Sequence, residues 1–253
     1  VSYAQAVVRV GPVDNENGRW EPCYVLAQDY KNEGNIRFYQ AYADGRYADQ
    51  WMQVDDAGHG QTFHAYRSAA GNLYVWCGEN PAYRYKWQSG KTVARSSGTK
   101  MDYKGCRPVG SHEPWVGFRD ATDTTETFYL FDRTDFTDGT NRTDPVKWVK
   151  ISKQTSRAQQ SWCVDEHRIY RISGSTNENP PNGTNLHVVE VFDWAGKKLL
   201  TLDVTRMAIS TTSDEPEGLT YTGTPGSVLA GKREGSTDPA KRSYPLWTLV
   251  GMP

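Results

Sequence analysis

The sequence predicts an all-β protein, a five-bladed β-propeller in a single domain, and three observations predict it. A short pattern recurs: Gln or Glu, then a small residue or Pro, then a large apolar residue opening an apolar run. It stands at Gln5-Ala6-Val7, Gln61-Thr62-Phe63, Glu113-Pro114-Trp115, Gln160-Ser161-Trp162 and Glu217-Gly218-Leu219, at spacings of 56, 52, 47 and 57 residues. Runs of strand length follow these anchors with turn residues between them, and helical periodicity is nearly absent. Units of about 50 residues with three or four short strands each describe propeller blades. One small twisted sheet cannot bury both its faces alone, whereas sheets stacked around a ring bury each face against a neighbour and leave only short edges.

The blades are expected at 1–57, 58–106, 107–156, 157–210 and 211–253. The first carries "AVVRV" after Gln5, then "CYVLAQD" from Cys23 and "IRFYQAY" from Ile36, with a "DG" turn at 44–45. The second opens on "GHGQTFH" and continues through "LYVWCGE" and "YRYKWQ", separated by the turn signals "AAGN" and "SGK". The third fits less well. "PWVGFRD", "TFYLFDR" and "VKWVKI" read as strands, but the Thr- and Asp-rich stretch 134–145 reads as a long surface loop. The fourth holds "RIYRISG" and "LHVVEVF", broken by "PPNG" and "WAGK", with a weak helical turn around "DVTRMAI". The fifth runs from "DEPEGLTY" through "SVLAGKR" to "YPLWTLV". Ring closure is expected to pair "AVVRV" near one terminus with "LWTLV" near the other. A two-sheet sandwich is the alternative architecture.

Composition narrows the function. With 29 basic and 30 acidic residues the net charge is −1, so the chain builds no field for a polyanion, and nucleic acid or anionic membrane is excluded as a main partner. No apolar run reaches the length of a membrane-spanning helix. The chain starts at Val1 without a basic or apolar leader, which suggests a processed product or a fragment. The aromatic share is high, with 9 Trp and 15 Tyr. Flat rings with a polar edge suit sheet packing and sugar stacking alike. Most of Trp76, Tyr83, Tyr85, Trp87, Trp115, Trp162 and Trp194 read as packing, with one or two left for a sugar. Cys23, Cys77, Cys106 and Cys163 lack metal-ligand spacing and read as small buried hydrophobes, so no metal or other cofactor is implied.

In a propeller the innermost strand of each blade starts at one rim of a central channel. Gln5, Gln61, Glu113, Gln160 and Glu217 would then form a polar ring there. That ring has a structural reading, as amides and carboxylates bonded to neighbouring backbone, and a functional one, as a ligand funnel. His59 lies between two glycines just ahead of an anchor, and His112 holds the like place before Glu113, so both are candidates to touch a ligand. His64 reads as packed. Glu113, Asp165, Asp214, Glu215 and Glu217 are the carboxylates able to pair across a glycosidic bond, yet glutamine at three of five anchors makes charge optional there. The candidate ligand-binding set is therefore His59, Gln61, His112, Glu113, Gln160, Trp162, Asp214, Glu215 and Glu217, with no catalytic and no metal residue assigned.

The segments "QQSWCVDEHRIYRISGSTNENPPNGTNLHVVEVFDWAGK" and "DEPEGLTYTGTPGSVLAGKREG", with "GHGQTF" upstream, carry a resemblance. They resemble a family of five-bladed propellers from phages and prophages of Gram-positive bacteria, often labelled teichoic acid biosynthesis protein C and related to the bacteriocin helveticin J. The match is fullest over 159–250, fair over 58–80 and weak over 1–57 and 134–145. The resemblance implies a phage tail domain on the virion that recognises a Gram-positive host's cell-wall glycan, teichoic acid or another polysaccharide, without catalysis and beside other tail proteins. A cell-wall glycoside hydrolase and a helveticin-like bacteriocin are the alternatives. His59, Gln61, Gln160, Glu215, Pro216, Glu217 and Gly218 match the family's motif positions, and the match assigns them neither to a ligand nor to the fold.

Overall fold

The computed structural model describes residues 3–11, 24–30, 34–42, 47–78, 81–101, 103–136, 144–155, 157–174, 187–205, 215–222, 224, 228–233 and 246–252. It is all-β with almost no helix: beyond strands, the described residues include two short 3-10 turns, Arg95–Ser97 and Arg133–Phe136. Among the described residues the strands form five antiparallel meanders. The first is β1 (Tyr3–Arg9), β2 (Tyr24–Tyr30), β3 (Asn35–Ala41) and β4 (Tyr47–Val54). The second is β5 (His64–Arg67), β6 (Leu73–Cys77), β7 (Tyr83–Lys86) and β9 (Thr99–Lys100), while β8 (Lys91–Val93) leaves it to pair in parallel with β4. The third is β10 (Arg107–Ser111), β11 (Trp115–Ala121), β12 (Thr125–Asp132) and β13 (Lys147–Ser152). The fourth is β14 (Gln159–Val164), β15 (Arg168–Ser173), β16 (Val188–Asp193) and β17 (Lys198–Asp203). The fifth is β18 (Glu215–Tyr221), β19 (Val228–Arg233) and β20 (Leu246–Leu249). A short parallel contact, Gly110 with Cys163 and Ser111 with Val164, joins the third and fourth into one eight-stranded sheet.

The apolar residues explain why the meanders need one another. One core cluster sets Val8, Val25, Phe38 and Met52 of the first meander against Phe63, Ala65 and Val75 of the second. A second sets Tyr66, Trp76 and Tyr103 against Phe118, Phe131 and Phe136 of the third. A third sets Phe128, Leu130 and Ile151 against Trp162, Val164 and Phe192 of the fourth. The last sets Tyr170, Val189 and Val191 against Leu219, Val228 and Leu249 of the fifth. Each sheet alternates its side chains between the clusters on its two faces, as the two-residue period of a strand requires. At about 25 cal/mol per Å² of apolar surface, no single meander holds a core of its own, and stacking supplies it. The first strands of the meanders also meet: β1 lies against β18 and β5, β10 against β5 and β14, and β14 against β18.

The repeated anchors have a specific structural role. The β1–β2 register skips between Ala4 and Ala6, the β14–β15 register between Gln159 and Ser161, and the β18–β19 register between Pro216 and Gly218. Gln5, Gln160 and Glu217 are thus the extra residues of three equivalent β-bulges, and all three are buried. A bulge leaves backbone groups outside the ladder, and a buried polar side chain can satisfy them. The Gln160 amide does so, donating to the Gly174 carbonyl at 2.9 Å. The small residue after each anchor allows close strand approach: the Leu219 N–H donates to the Ser161 Oγ of the neighbouring meander at 3.2 Å.

Several expectations are corrected. Glu113 opens no first strand. It lies in the β10–β11 turn, and the third meander begins at Arg107. The cause is that Arg107-Pro108 stands where the other meanders carry Gln or Glu, so the pattern slid to the next acidic residue. The described termini do not pair either, since β1 bonds β2 and β20 bonds β19. The first and fifth meanders meet instead side by side, with the Arg9 N–H donating to Thr220 Oγ1 at 3.0 Å. The stretch 134–145 is not all surface loop, because Phe136 is fully buried among Trp76, Phe118 and Phe131. β4 and β17 carry a weak strand signal in the sequence, since Asp, Gln and Lys interrupt their alternation. Cys77, Cys106 and Cys163 are buried, whereas Cys23 and the bulk of the "DVTRMAI" turn lie outside the described residues.

Candidate functional site

Four first strands end at one pocket of about 310 Å³. Its walls come from Arg9 at the end of β1 and Gly11 after it, Tyr66 of β5, His112 and Glu113 after β10, and Tyr221 at the end of β18. The His112 and Tyr221 rings lie 4.4 Å apart between centroids at 57°. Across from them the Arg133 guanidinium sits 4.4 Å over the Tyr66 ring and donates to Glu113 Oε2 at 2.7 Å. Aromatic faces and a fixed charge pair therefore share one concave surface, the combination that binds a polyol with apolar faces. The Arg9 Nε and His112 Nδ1 are buried without a partner among the described residues.

Apart from the Arg9 guanidinium, charge in this pocket is paired or suppressed by burial. Burial lowers the His112 pKa below the usual imidazole value, with Glu166 and Asp165 opposing it, so at neutral pH the ring is uncharged. Burial raises the Glu113 carboxyl, and Arg133 opposes the shift. The Tyr221 phenol is pushed up to about 12 by burial and by Asp165. Beneath the floor His64 is fully buried and its pKa falls to about 3, first through desolvation and then through Arg133 and His112.

Ser111 Oγ lies 3.2 Å from His64 Nδ1, which invites comparison with a nucleophile and its base. The hydroxyl is buried, reaches the Trp115 carbonyl at 3.1 Å and accepts the Gly117 N–H at 3.2 Å, so it holds the β10–β11 turn. Asp165, one of the carboxylates considered for hydrolysis, is likewise spent. Its Oδ1 accepts the His167 and Arg168 N–H groups at 2.6 and 2.7 Å, and its Oδ2 accepts the Tyr170 hydroxyl at 2.9 Å.

The structure divides the sequence candidates between two ends of the strands. His112 and Glu113 line the pocket just described. Gln61 and Trp162 line another, of about 440 Å³, where β10 and β14 begin. Gln160 and Glu217 are buried bulge residues. His59 is exposed between Gly58 and Gly60, whose φ values of 93° and 81° turn the chain into β5. Asp214 lies outside the described residues, and Glu215 is described only as the first residue of β18. Among the described residues no group of His, Cys, Asp and Glu is arranged to hold a metal. Sequence reasoning missed Arg9, Tyr66 and Tyr221. A signal existed, for Arg9 and Tyr221 each stand four residues beyond an anchor, Gln5 and Glu217, one strand length along.

Comparison with known proteins adds to the fold. The tail fibre of Staphylococcus aureus phage P68 is similar in structure, with a TM-score of 0.70 at 16% sequence identity, over 98% of this chain and 52% of the fibre chain. This chain thus spans about half the length of that fibre. At that identity the likeness is one of fold. No protein-family model and no curated protein sequence matches the chain.

Proposed function

We propose that the chain is a phage tail receptor-binding domain, a five-bladed propeller on the virion that holds a host cell-surface glycan without cleaving it. The observation that carries this reading is the structural likeness to a phage tail fibre over nearly the whole chain. The cyclic contacts of β1, β5, β10, β14 and β18 support five blades at about the boundaries read from the sequence. The resemblance to the teichoic acid biosynthesis protein C and helveticin J propellers supports a Gram-positive wall polysaccharide as the ligand. The pocket at the strand ends supplies suitable chemistry: His112 and Tyr221 line it with rings against which a sugar could lie, and Arg9 and Glu113 offer a donor and an acceptor to its hydroxyls. Single sites of this kind bind weakly, and several copies on one particle would raise avidity.

The test is retention of the labelled protein on purified walls and whole cells of candidate hosts. Tyr221→Ala removes one aromatic ring from the wall, and a loss of about tenfold in wall affinity, ~1.4 kcal/mol, is expected. Absence of wall binding by the unaltered protein, or full binding by Tyr221→Ala and His112→Ala alike, overturns the assignment.

A further inference from the structure

The second pocket differs from the first in what it asks of a ligand. It opens at the N-terminal ends of β10 and β14, and Arg107, Arg119, Asp120, Lys153, Gln159 and Trp162 surround it. Three of these are cations and one is a carboxylate. Asp120 accepts the Ala121 N–H at 2.8 Å, so one of its oxygens is turned onto its own backbone. Arg119 is 4% exposed, with its guanidinium 3.8 Å over the Trp162 ring and its Nε bonded to Glu126 Oε1 at 2.6 Å. Its Nη2 donates to Gln159 Oε1 at 2.9 Å. A guanidinium can only donate, so that bond fixes which end of the Gln159 amide is oxygen and leaves Nε2 as the outer donor.

Two donors then stand without acceptors. Gln159 Nε2 and Trp162 Nε1 are buried and have no partner among the described residues, and Trp162 is only 5% exposed. An indole N–H can do nothing but donate. Buried polar groups in folded proteins are nearly always bonded, so two orphan donors beside a cationic wall mark a place for oxygen lone pairs. Lys153 reaches the same place while donating to the Thr122 carbonyl at 3.2 Å, and Arg107 is exposed at its mouth. Glu126 balances Arg119 from below, while Arg107 and Lys153 line the pocket beside Asp120.

We propose that this pocket is an oxyanion subsite that takes the phosphate or carboxylate of an acidic saccharide. The proposal rests on the reading of the chain as a glycan-binding head, and gives that glycan a charge. Trp162 and Gln159 supply neutral donors, Arg107 and Lys153 supply the field, and the Arg119–Trp162 stack holds the wall in shape before the ligand arrives.

The experiment is calorimetric titration of the full chain with glucose 6-phosphate, glucuronic acid and glucose, at low and at high salt. At least one of the two acids is expected to bind about tenfold or more tighter than glucose, with the advantage shrinking as salt rises. Which of the two it is separates a phosphate site from a carboxylate site. Arg107→Gln with Lys153→Gln, both near the surface and so compatible with folding, should remove that advantage. Trp162→Phe keeps the ring under Arg119 but deletes the N–H, and should weaken the acid several-fold. Equal binding of the three sugars, or undiminished acid binding by the double variant, overturns the proposal. Wall retention without acid-sugar binding would sink this subsite alone, and acid-sugar binding without wall retention would sink the wider reading alone.

Discussion

The two ends of β10 make different environments from one five-residue strand. At its beginning, Arg107 lines a pocket with Arg119, Lys153 and Asp120 and with two buried donors that have no partner among the described residues. At its end, Ser111 and His112 face a pocket of aromatic rings, an uncharged imidazole, the Arg9 guanidinium and one balanced ion pair. The difference comes from how each end treats its charges. Below the first pocket Arg119, Glu126, Arg171 and Glu190 form an alternating buried chain, with each neighbour bonded. At the other, Glu113 and Arg133 pair at 47% and 18% exposure, where water carries much of the load. One end is rigid, held by buried charge pairs, and the other is softer, with an exposed pair and the Arg9 guanidinium.

Breaking the buried chain should have the largest effect. Glu126 is fully buried and holds both Arg119 and Arg171. Glu126→Ala leaves two guanidiniums facing each other in the interior, a situation that costs about 3–5 kcal/mol. Denaturant unfolding should show this as a lower midpoint, and any acidic-sugar binding at the Arg119 wall should weaken with it. A loss under 1 kcal/mol would mean that the chain of charges is not the rigid element claimed for that end.

The soft end has its own signature in pH. His64 has a folded pKa of about 3 against an ordinary value of 6.5. The unfolded state therefore binds the proton first, so the neutral form's contribution is whole above pH 6.5 and is lost as pH falls toward 3. Each unit in that window is worth up to ~1.4 kcal/mol, so stability should drop by about 2 kcal/mol between pH 6.5 and 5. His112 is also lowered, chiefly by burial, and adds to the same slope. Glu190 is held below the usual carboxylate range: burial raises it, but Arg171 and Lys198 outweigh that, so its contribution fades only at lower pH. Unfolding midpoints of the unaltered protein and of His64→Asn across pH 5–7 separate these parts. A slope that survives the substitution in full would remove His64 from the account.

These contrasts were only partly legible in the sequence. The meanders were, because apolar runs of strand length and Gly-, Asn- and Pro-bearing turns are local signals. The anchors at Gln5, Gln160 and Glu217 were legible as a repeat, though not as bulges, since a register skip depends on the partner strand. Glu113 misled because an acid before Pro and Trp imitates an anchor, while Arg107 carries the opposite charge in the anchor's place. Neither pocket could be read directly. Arg9, Tyr66, His112 and Tyr221 come from four separate meanders and meet only when the strand ends converge. The candidates were drawn around strand beginnings, so the set caught Gln61 and Trp162 at one end and reached His112 and Glu113 at the other through a misplaced anchor.

That misplaced residue gives the smallest and most discriminating test. Glu113 is half exposed, its pKa raised by burial against the pull of Arg133. A raised carboxyl on a pocket wall is what a glycosidase acid needs, so the hydrolase alternative has its best remaining candidate here. Its chemistry demands a second carboxylate across the bond, and Asp165, the other acid considered near this end, already accepts three hydrogen bonds. Glu113→Gln keeps the shape and an acceptor oxygen while removing the charge. Because exposed ion pairs contribute about 0–1 kcal/mol, stability should change by less than that, and wall binding by no more than about threefold. Neither protein should release reducing ends from purified walls. Release by the unaltered chain that Glu113→Gln abolishes would make this end an active site, and the pairing with Arg133 would then tune an acid instead of shaping a wall.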